Sequence, residues 1–155
     1  VMTGLWNKTS GMDQIRDYLN NMLQRDTAVL GFVDIDNFKS VNDTYGHETG
    51  VFWIREVATA LQEMCGPSDI ACRYGGDEYI LFLQNIGDRE ELTARIEGFR
   101  KKIHDKAEEK GQDVHCSIGL YRVKGAGRKL AECIMISDGL LYQAKKNGKD
   151  TYVIE

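Results

Sequence analysis

Arg73-Tyr74-Gly75-Gly76-Asp77-Glu78-Tyr79 sets two adjacent carboxylates directly after a paired-glycine turn and directly before the apolar run Ile80-Leu81-Phe82-Leu83. How this stretch is read decides the fold. A strand over Ile70 to Arg73, the glycine turn and a strand over Tyr79 to Leu83 predict a β-hairpin in the middle of the chain. Gly75 and Gly76 can take backbone angles that other residues avoid, and they let a ligand come close to the main chain. Taken alone, the pattern fits two readings equally well: a turn that binds metal and phosphate, or an ordinary hairpin turn with solvated acids.

Upstream of the hairpin, Met12, Ile15, Leu19, Met22 and Leu23 follow helical spacing and predict a helix over 9–24. Ala28-Val29-Leu30-Gly31-Phe32-Val33 is a nearly continuous apolar run, as expected of a central strand buried on both faces, and it ends at Asp34-Ile35-Asp36. Ile54, Val57, Ala58, Leu61 and Met64 mark an amphipathic helix that Gly66-Pro67 stops. Downstream, Leu92, Ile96, Phe99, Ile103 and Ala107 predict a long helix whose other face carries Arg95, Arg100, Lys101, Lys102 and Glu108, a run expected to be solvated. Val114, Cys116, Ile118 and Leu120 alternate with His115, Ser117 and Gly119 as in a half-buried strand. Leu130, Cys133, Ile134, Ser137, Leu140 and Leu141 predict a last helix, and Tyr152-Val153-Ile154 a last strand. The mixed order of strands and helices around a central hairpin favours an α+β layer over a doubly wound sheet.

The chain has 155 residues, a single proline and no repeat or low-complexity tract, which is the pattern of one domain over 1–155. Apolar residues at 42% and charged residues at 28% are those of an ordinary globular protein. No apolar run is long enough to cross a bilayer, so membrane insertion by this segment is not expected. The net charge of −4 argues against a nucleic-acid binder, which would show a basic face, but allows a nucleotide carried with metal. Cys65, Cys72, Cys116 and Cys133 lack paired metal spacing, and three of them sit among apolar residues as small buried groups do. Without a secretory signal, the expected compartment is the cytoplasm.

Asp34, at a strand end, and Asp77, beside the hairpin turn, converge if the strand over 28–33 lies next to the hairpin in one sheet. Two acids and one backbone carbonyl, that of Ile35, would then suffice for magnesium shared with substrate phosphates. After Asp36 the chain turns into Asn37-Phe38-Lys39-Ser40-Val41-Asn42, and amides at a helix start are natural phosphate donors. Lys145, Lys146 and Lys149 read, by themselves, as cations facing a helix C-terminal dipole, and His47 as structural.

With these residues in place the chain resembles the GGDEF family, the diguanylate cyclase domain. The signature reads Gly75-Gly76-Asp77-Glu78-Tyr79 here. Thr3-Gly4-Leu5-Trp6-Asn7-Lys8, Val33-Asp34-Ile35-Asp36-Asn37-Phe38-Lys39, Asn42-Asp43-Thr44-Tyr45-Gly46-His47, Ser117-Ile118-Gly119 and Tyr142-Gln143-Ala144-Lys145-Lys146-Asn147-Gly148-Lys149 follow the family's order and spacing. The resemblance implies an α+β fold with a mainly antiparallel central sheet flanked by helices, like the palm of nucleotide cyclases and polymerases, with a ferredoxin-like core. It implies condensation of two GTP molecules to cyclic di-GMP and pyrophosphate in a transient homodimer with one GTP per subunit, and magnesium or manganese as cofactor. Asp34 and Asp77 would hold the metal with the Ile35 carbonyl, and Glu78 would serve as metal ligand or as base. Gly75, Gly76, Phe38, Lys39, Asn42 and position 51 would line the substrate, with Lys145 and Lys149 on its phosphates. Because the chain opens inside a motif, it is expected to be a fragment of a longer multidomain signalling protein with a regulatory sensor domain, cytoplasmic or the cytoplasmic part of a membrane-bound protein.

Four positions depart from the family pattern. Tyr79 replaces the usual phenylalanine, and Lys8 the usual arginine, keeping its charge but losing the bidentate fork. In Gly46-His47-Glu48-Thr49-Gly50-Val51, valine stands where the family's aspartate accepts hydrogen bonds from guanine. Losing a hydrogen bond to a charged group costs on the order of 1.5–3 kcal/mol, so weaker and less selective GTP binding is expected. The window Gly66-Pro67-Ser68-Asp69 keeps the aspartate of the family's inhibitory site but has glycine for its arginine, so product inhibition there is expected to be absent. Two alternatives follow from these departures: a degenerate domain that binds nucleotide and regulates a linked domain, and a cyclic dinucleotide synthase of relaxed base choice.

Overall fold

The computed structural model describes residues 5–155, so Thr3 and Gly4 of the opening motif lie outside the described residues. Helix α1, Lys8–Asn21, starts at Asn7, whose side chain accepts the Ser10 amide at 2.8 Å, an N-cap that satisfies one of the free first-turn donors. It stops short of the expected residue 24. Met22 turns extended and stays buried, while the Leu23 amide donates to Asp26 at 2.8 Å, which leaves the Leu23 side chain in solvent.

Strand β1, Thr27–Ile35, is followed by two short-linked helices, α2 over Phe38–Tyr45 and α3 over His47–Met64. The predicted hairpin is β2, Ile70–Arg73, and β3, Glu78–Gln84. Then come α4, Arg89–Lys110, β4, Cys116–Lys124, α5, Leu130–Lys146, and β5, Tyr152–Ile154. The strands form one sheet in the order β2-β3-β1-β4-β5. Its first three pairings are antiparallel and only β4 with β5 is parallel, so the α+β sheet is mixed and mainly antiparallel. Among the described residues no helix is long and apolar enough to cross a membrane.

Central placement explains the apolar run of β1. Side chains alternate across a strand, so Val29, Val33 and Ile35 meet α3 and α4 through Trp53, Val57, Leu61, Leu92, Ile96 and Phe99. Ala28, Leu30 and Phe32 meet α1 and α5 on the other face, against Ile15, Leu19, Cys133 and Leu141. The expectation of a half-buried β4 is corrected by the same geometry: Cys116 to Leu120 are all buried, because β4 lies between β1 and β5 with helices over both faces. Gly119 is where α5 lies closest. A Cβ there would stand 2.3 Å from both Ser137 O and Leu141 N.

The charged face of α4 also differs from the expectation. Lys101 pairs with Asp105 and Lys102 with Glu63 at the surface, but Arg95 and Arg100 turn inward. Arg95 donates to Asp69 and to the Met64 carbonyl, and Arg100 donates to the Asp150 carbonyl at 2.7 Å. These guanidinium groups tie the last carbonyl of α3 and a loop carbonyl, groups left over at the ends of regular structure. Tyr79, fully buried, places its ring in the core and donates its hydroxyl to Ile54 O at 2.7 Å.

Candidate active site

The register of β1 against β3 builds the centre of the site. Asp34 lies opposite Glu78 on one side and Ser117 on the other, and the Ile35 amide donates to the Asp77 carbonyl at 3.2 Å. The hairpin turn is thereby held against the end of the central strand, which sets the Asp77 carboxyl beside Asp34. Asp34 is 7% exposed. By strand alternation it shares the face of Leu30 and Phe32, which α5 covers, and Lys145 of α5 forms an ion pair with its Oδ2. Its Oδ1 is buried without a hydrogen-bond partner. Burial, followed by the Asp77 carboxyl, pushes the Asp34 carboxyl up to about 7, with Lys145 pulling in the opposite direction. Burial would lower Lys145, but Asp34 outweighs it and holds the ammonium above its ordinary value.

The signature turn works differently from the expectation drawn from its glycines. Neither Gly75 nor Gly76 has a positive φ. Gly75 is needed for space instead: a Cβ there would lie 2.4 Å from the Glu78 carboxylate, which folds back over the turn, whereas Gly76 faces open space. Arg73 braces the turn by donating to Gly75 O at 3.1 Å and to Gly76 O at 2.7 Å. The stretch names Arg73, but only the folded turn reveals this role, since a guanidinium can reach carbonyls two and three residues on only when the chain doubles back. Glu78 is raised by burial and then by the neighbouring Asp34. Lys8 lies over the Tyr74 ring at 4.2 Å, next to the same turn.

At the start of α2, Asn37 is left-handed, with φ 51, and its side chain does not cap the helix. Its Oδ1 accepts Lys149 Nζ at 2.6 Å, which brings Lys149 to the loop. The first-turn amides at Phe38 and Lys39 are left without a side-chain cap; Lys39 is exposed and Phe38 half-buried against the core. Helices α2 and α3 touch at Gly50, where a Cβ would overlap Asn42 Oδ1 at 1.8 Å and meet the Phe38 ring at 3.3 Å. Asn42 Oδ1 is buried with no donor. Val51 follows on α3 and lines a groove of about 510 Å³ with His47, Phe52 and Arg55. His47 is exposed and lines the same groove.

Among the described residues no three His, Cys, Asp or Glu side chains gather at metal-binding spacing. The site nevertheless fits a hard cation at its centre. It offers a buried carboxyl with an orphaned oxygen, pushed up first by burial and then by Asp77, and the Asp77 carboxyl beside it, the kind of oxygen-donor set that a divalent cation would satisfy.

A family model described as diguanylate cyclase, GGDEF domain, matches residues 1–151. The chain belongs to the GGDEF family. It is similar to diguanylate cyclase A of Treponema denticola, 32% identical over 82% of this chain and 35% of that protein. Diguanylate cyclase DosC of Escherichia coli K12 is 36% identical over 76% of this chain and 26% of its own length. The chain thus spans about a third or less of these curated relatives. Among solved structures, diguanylate cyclase SiaD of Pseudomonas aeruginosa, determined with its activator SiaC, superposes with a TM-score of 0.86 at 29% identity over 99% of this chain and 60% of that one.

In this GGDEF domain the departure at Gly66 has a structural counterpart. Asp69 is not available at the surface: its Oδ2 accepts the Gly66 amide at 2.8 Å and Arg95 at 3.0 Å, and its Oδ1 accepts the Gln84 amide at 2.8 Å. Its carboxylate is 5% exposed. The groove of about 380 Å³ beside it is lined by Trp6, Gln62, Pro67 and Ala71, and offers no cation of its own.

Proposed function

We propose that this domain joins two GTP molecules into cyclic di-GMP, each copy of a transient homodimer holding one GTP. In each half-reaction a ribose 3′-oxygen forms a bond to the α-phosphorus of the other GTP, the bond to the β-phosphate oxygen breaks, and pyrophosphate leaves with the electron pair. The observation that carries this reading is the Asp34–Asp77 pair at the end of β1, with one Asp34 oxygen buried and unpartnered. Asp34, Asp77 and the Ile35 carbonyl are the groups to hold magnesium. Bound there, the ion would lower the pKa of the attacking hydroxyl and offset the charge gathering on the phosphates.

Glu78, with its carboxyl raised by burial and Asp34, is suited to take the 3′-hydroxyl proton. Lys145 and Lys149, with the first-turn amides of α2 and the turn at Gly75 and Gly76, are the groups to meet the triphosphate. Asn42, whose Oδ1 lacks a donor, gains one from a base N–H, and guanine presents N1–H and N2–H donors. A cytoplasmic setting, where GTP is made and used, and control by a linked regulatory sensor domain belong to the same proposal. Incubation of concentrated protein with GTP and magnesium, followed by mass spectrometry, tests the proposal. Cyclic di-GMP is expected; its absence at protein concentrations that form dimers, with GTP bound, would favour a domain that binds nucleotide without turning it over.

A second reading rests on Val51. The groove it lines has no acceptor at this position, so base discrimination is expected to be weak and mixed products to form when ATP is supplied with GTP. Val51→Asp is expected to tighten GTP binding roughly ten- to hundredfold and to shift the product mixture toward cyclic di-GMP. Unchanged affinity and unchanged products in that variant would remove position 51 from base recognition.

With Asp69 occupied by Arg95 and two amides, cyclic di-GMP is expected not to inhibit through the Gly66 to Asp69 turn. Titration calorimetry with cyclic di-GMP checks this. Tight binding that is lost on Asp69→Ala would show the opposite.

A further inference from the structure

Asp36 has no part in the roles assigned above, yet it is 2% exposed and joins its own segment to two others. Its Oδ2 accepts His115 Nδ1 at 2.6 Å and the Asp150 amide at 2.9 Å, and its Oδ1 accepts Ser117 Oγ at 2.6 Å. Burial alone would raise this carboxyl, but the bonds from His115, Ser117 and the Asp150 amide outweigh it and hold it below the usual range. A buried carboxylate so fully satisfied is a fixed anchor.

The segment it anchors is strained. Gly148, Lys149 and Asp150 have φ of 113, 63 and 49, so two consecutive residues with side chains stand in the left-handed region that such residues avoid. Strain of this kind persists only where surrounding contacts over-determine it, and it collects at functional sites. Here the turn leaves α5 with the Gly148 and Lys149 amides on the Lys145 and Ala144 carbonyls, and further contacts come from two sides. From inside, Asp36 takes the Asp150 amide; from α4, Arg100 donates to the Asp150 carbonyl at 2.7 Å and His104 Nε2 lies 2.6 Å from its carboxylate. The outcome of the turn is the position of Lys149, whose Nζ meets Asn37 Oδ1 at 2.6 Å at the mouth of the α2 loop.

We propose that Asp36 is a positioning residue that, through the Asp150 amide, holds the left-handed 148–150 turn in the conformation that presents Lys149 to the substrate triphosphate. Asp150 is the outer half of the same device, held by His104 and Arg100. The inference rests on the reading of Lys149 as a phosphate contact. It accounts for a carboxylate where packing alone would accept an apolar side chain: two donors from the 115–117 segment fix the acid in place, and the third is the amide of the strained turn.

The test is a double-mutant cycle in which the KM for GTP, kcat, and the Kd of a non-reactive GTP analogue with magnesium are measured. Asp36→Ala is expected to raise KM and Kd about tenfold and to change kcat in the same direction and by no more than Lys149→Ala, and the double variant is expected to be no worse than Lys149→Ala alone. Asp36→Asn is expected to stay within about threefold of the parent, because its carbonyl still faces the Asp150 amide while its NH₂ donates to Ser117 Oγ. A parental KM in Asp36→Ala, or an effect that multiplies with that of Lys149→Ala, overturns the inference. If Asp36→Ala does not melt cooperatively, His104→Ala carries the test, since the His104 side chain is 42% exposed. Its KM should rise about threefold, and the rise should vanish in the Lys149→Ala background; an unchanged KM overturns the inference. A parent chain that binds no GTP overturns the function proposed above, whereas a parent that binds while every variant binds equally well overturns this inference alone.

Discussion

Replacing Asp34 by asparagine is expected to lower cyclic dinucleotide formation by about a thousandfold or more, the scale for removing a charged group that compensates transition-state charge. The same substitution is expected to make the protein more stable. Asp34 titrates near 3.8 when the chain is unfolded and at about 7 when it is folded, so between these values the folded state binds the additional proton. Stability therefore falls as pH rises from about 4 to 7, and the full penalty is present above 7. Asparagine carries no such titration, and Lys145, whose side chain is 35% exposed, can turn to water when its partner loses charge. Thermal melts at pH 5 and pH 8 should show the Asp34→Asn variant gaining on the parent at the higher pH. Added magnesium should raise the melting temperature of the parent and leave the variant where it is. A variant that melts lower than the parent at pH 8, or that keeps its turnover, would sink the assignment of Asp34 as a buried charge retained for chemistry.

Gly119→Ala is expected to be the most damaging single-methyl addition in the fold. The new Cβ would meet Ser137 O and Leu141 N at 2.3 Å and Leu140 C at 2.8 Å, all of them backbone atoms of α5. No rotamer change relieves such a clash, so the helix must lift from the sheet. Overpacking of this kind costs roughly 3 kcal/mol, at the upper end of its usual range, which moves a urea midpoint down by about 1–2 M. The lift also withdraws Ser137 from Leu30 O and Lys145 from Asp34, so turnover should fall with stability. Gly139→Ala is the control on the same helix. Open space surrounds that position, and alanine should there stabilise the helix by roughly 0.5–1 kcal/mol. Equal melting of the two variants would mean that α5 does not rest on β4 at Gly119.

Both results turn on a distinction visible throughout the molecule. The β1 run from Ala28 to Val33 was legible because burial on two faces leaves a continuous apolar stretch, and the hairpin was legible because its glycines stand between two such stretches. The convergence of Asp34 with Asp77 followed from one assumption, that these two elements are neighbours, and the antiparallel register of β1 with β3 satisfies it. Local pattern was less informative where a charged side chain had a distant use. Arg95 and Arg100 sit in a run that helical periodicity assigns to solvent, yet they reach Asp69 and Asp150, 26 and 50 residues away. Gly75 invited a conformational explanation, while the requirement is room for the Glu78 carboxylate.

Sequence alone determined most of the order of elements, the mainly antiparallel α+β class, the family and the candidate acids Asp34, Asp77 and Glu78, because these depend on periodicities and motifs carried by neighbouring residues. Tertiary structure alone decided what those acids do to one another and what supports them. It buries Asp34 with one oxygen unpartnered, closes Asp69 off against Arg95, and gathers His115, Ser117 and the Asp150 amide on Asp36. The physical reason is that charge, desolvation and strain depend on which groups are brought together through space, and residues 79 to 114 positions apart along the chain meet here within hydrogen-bond distance.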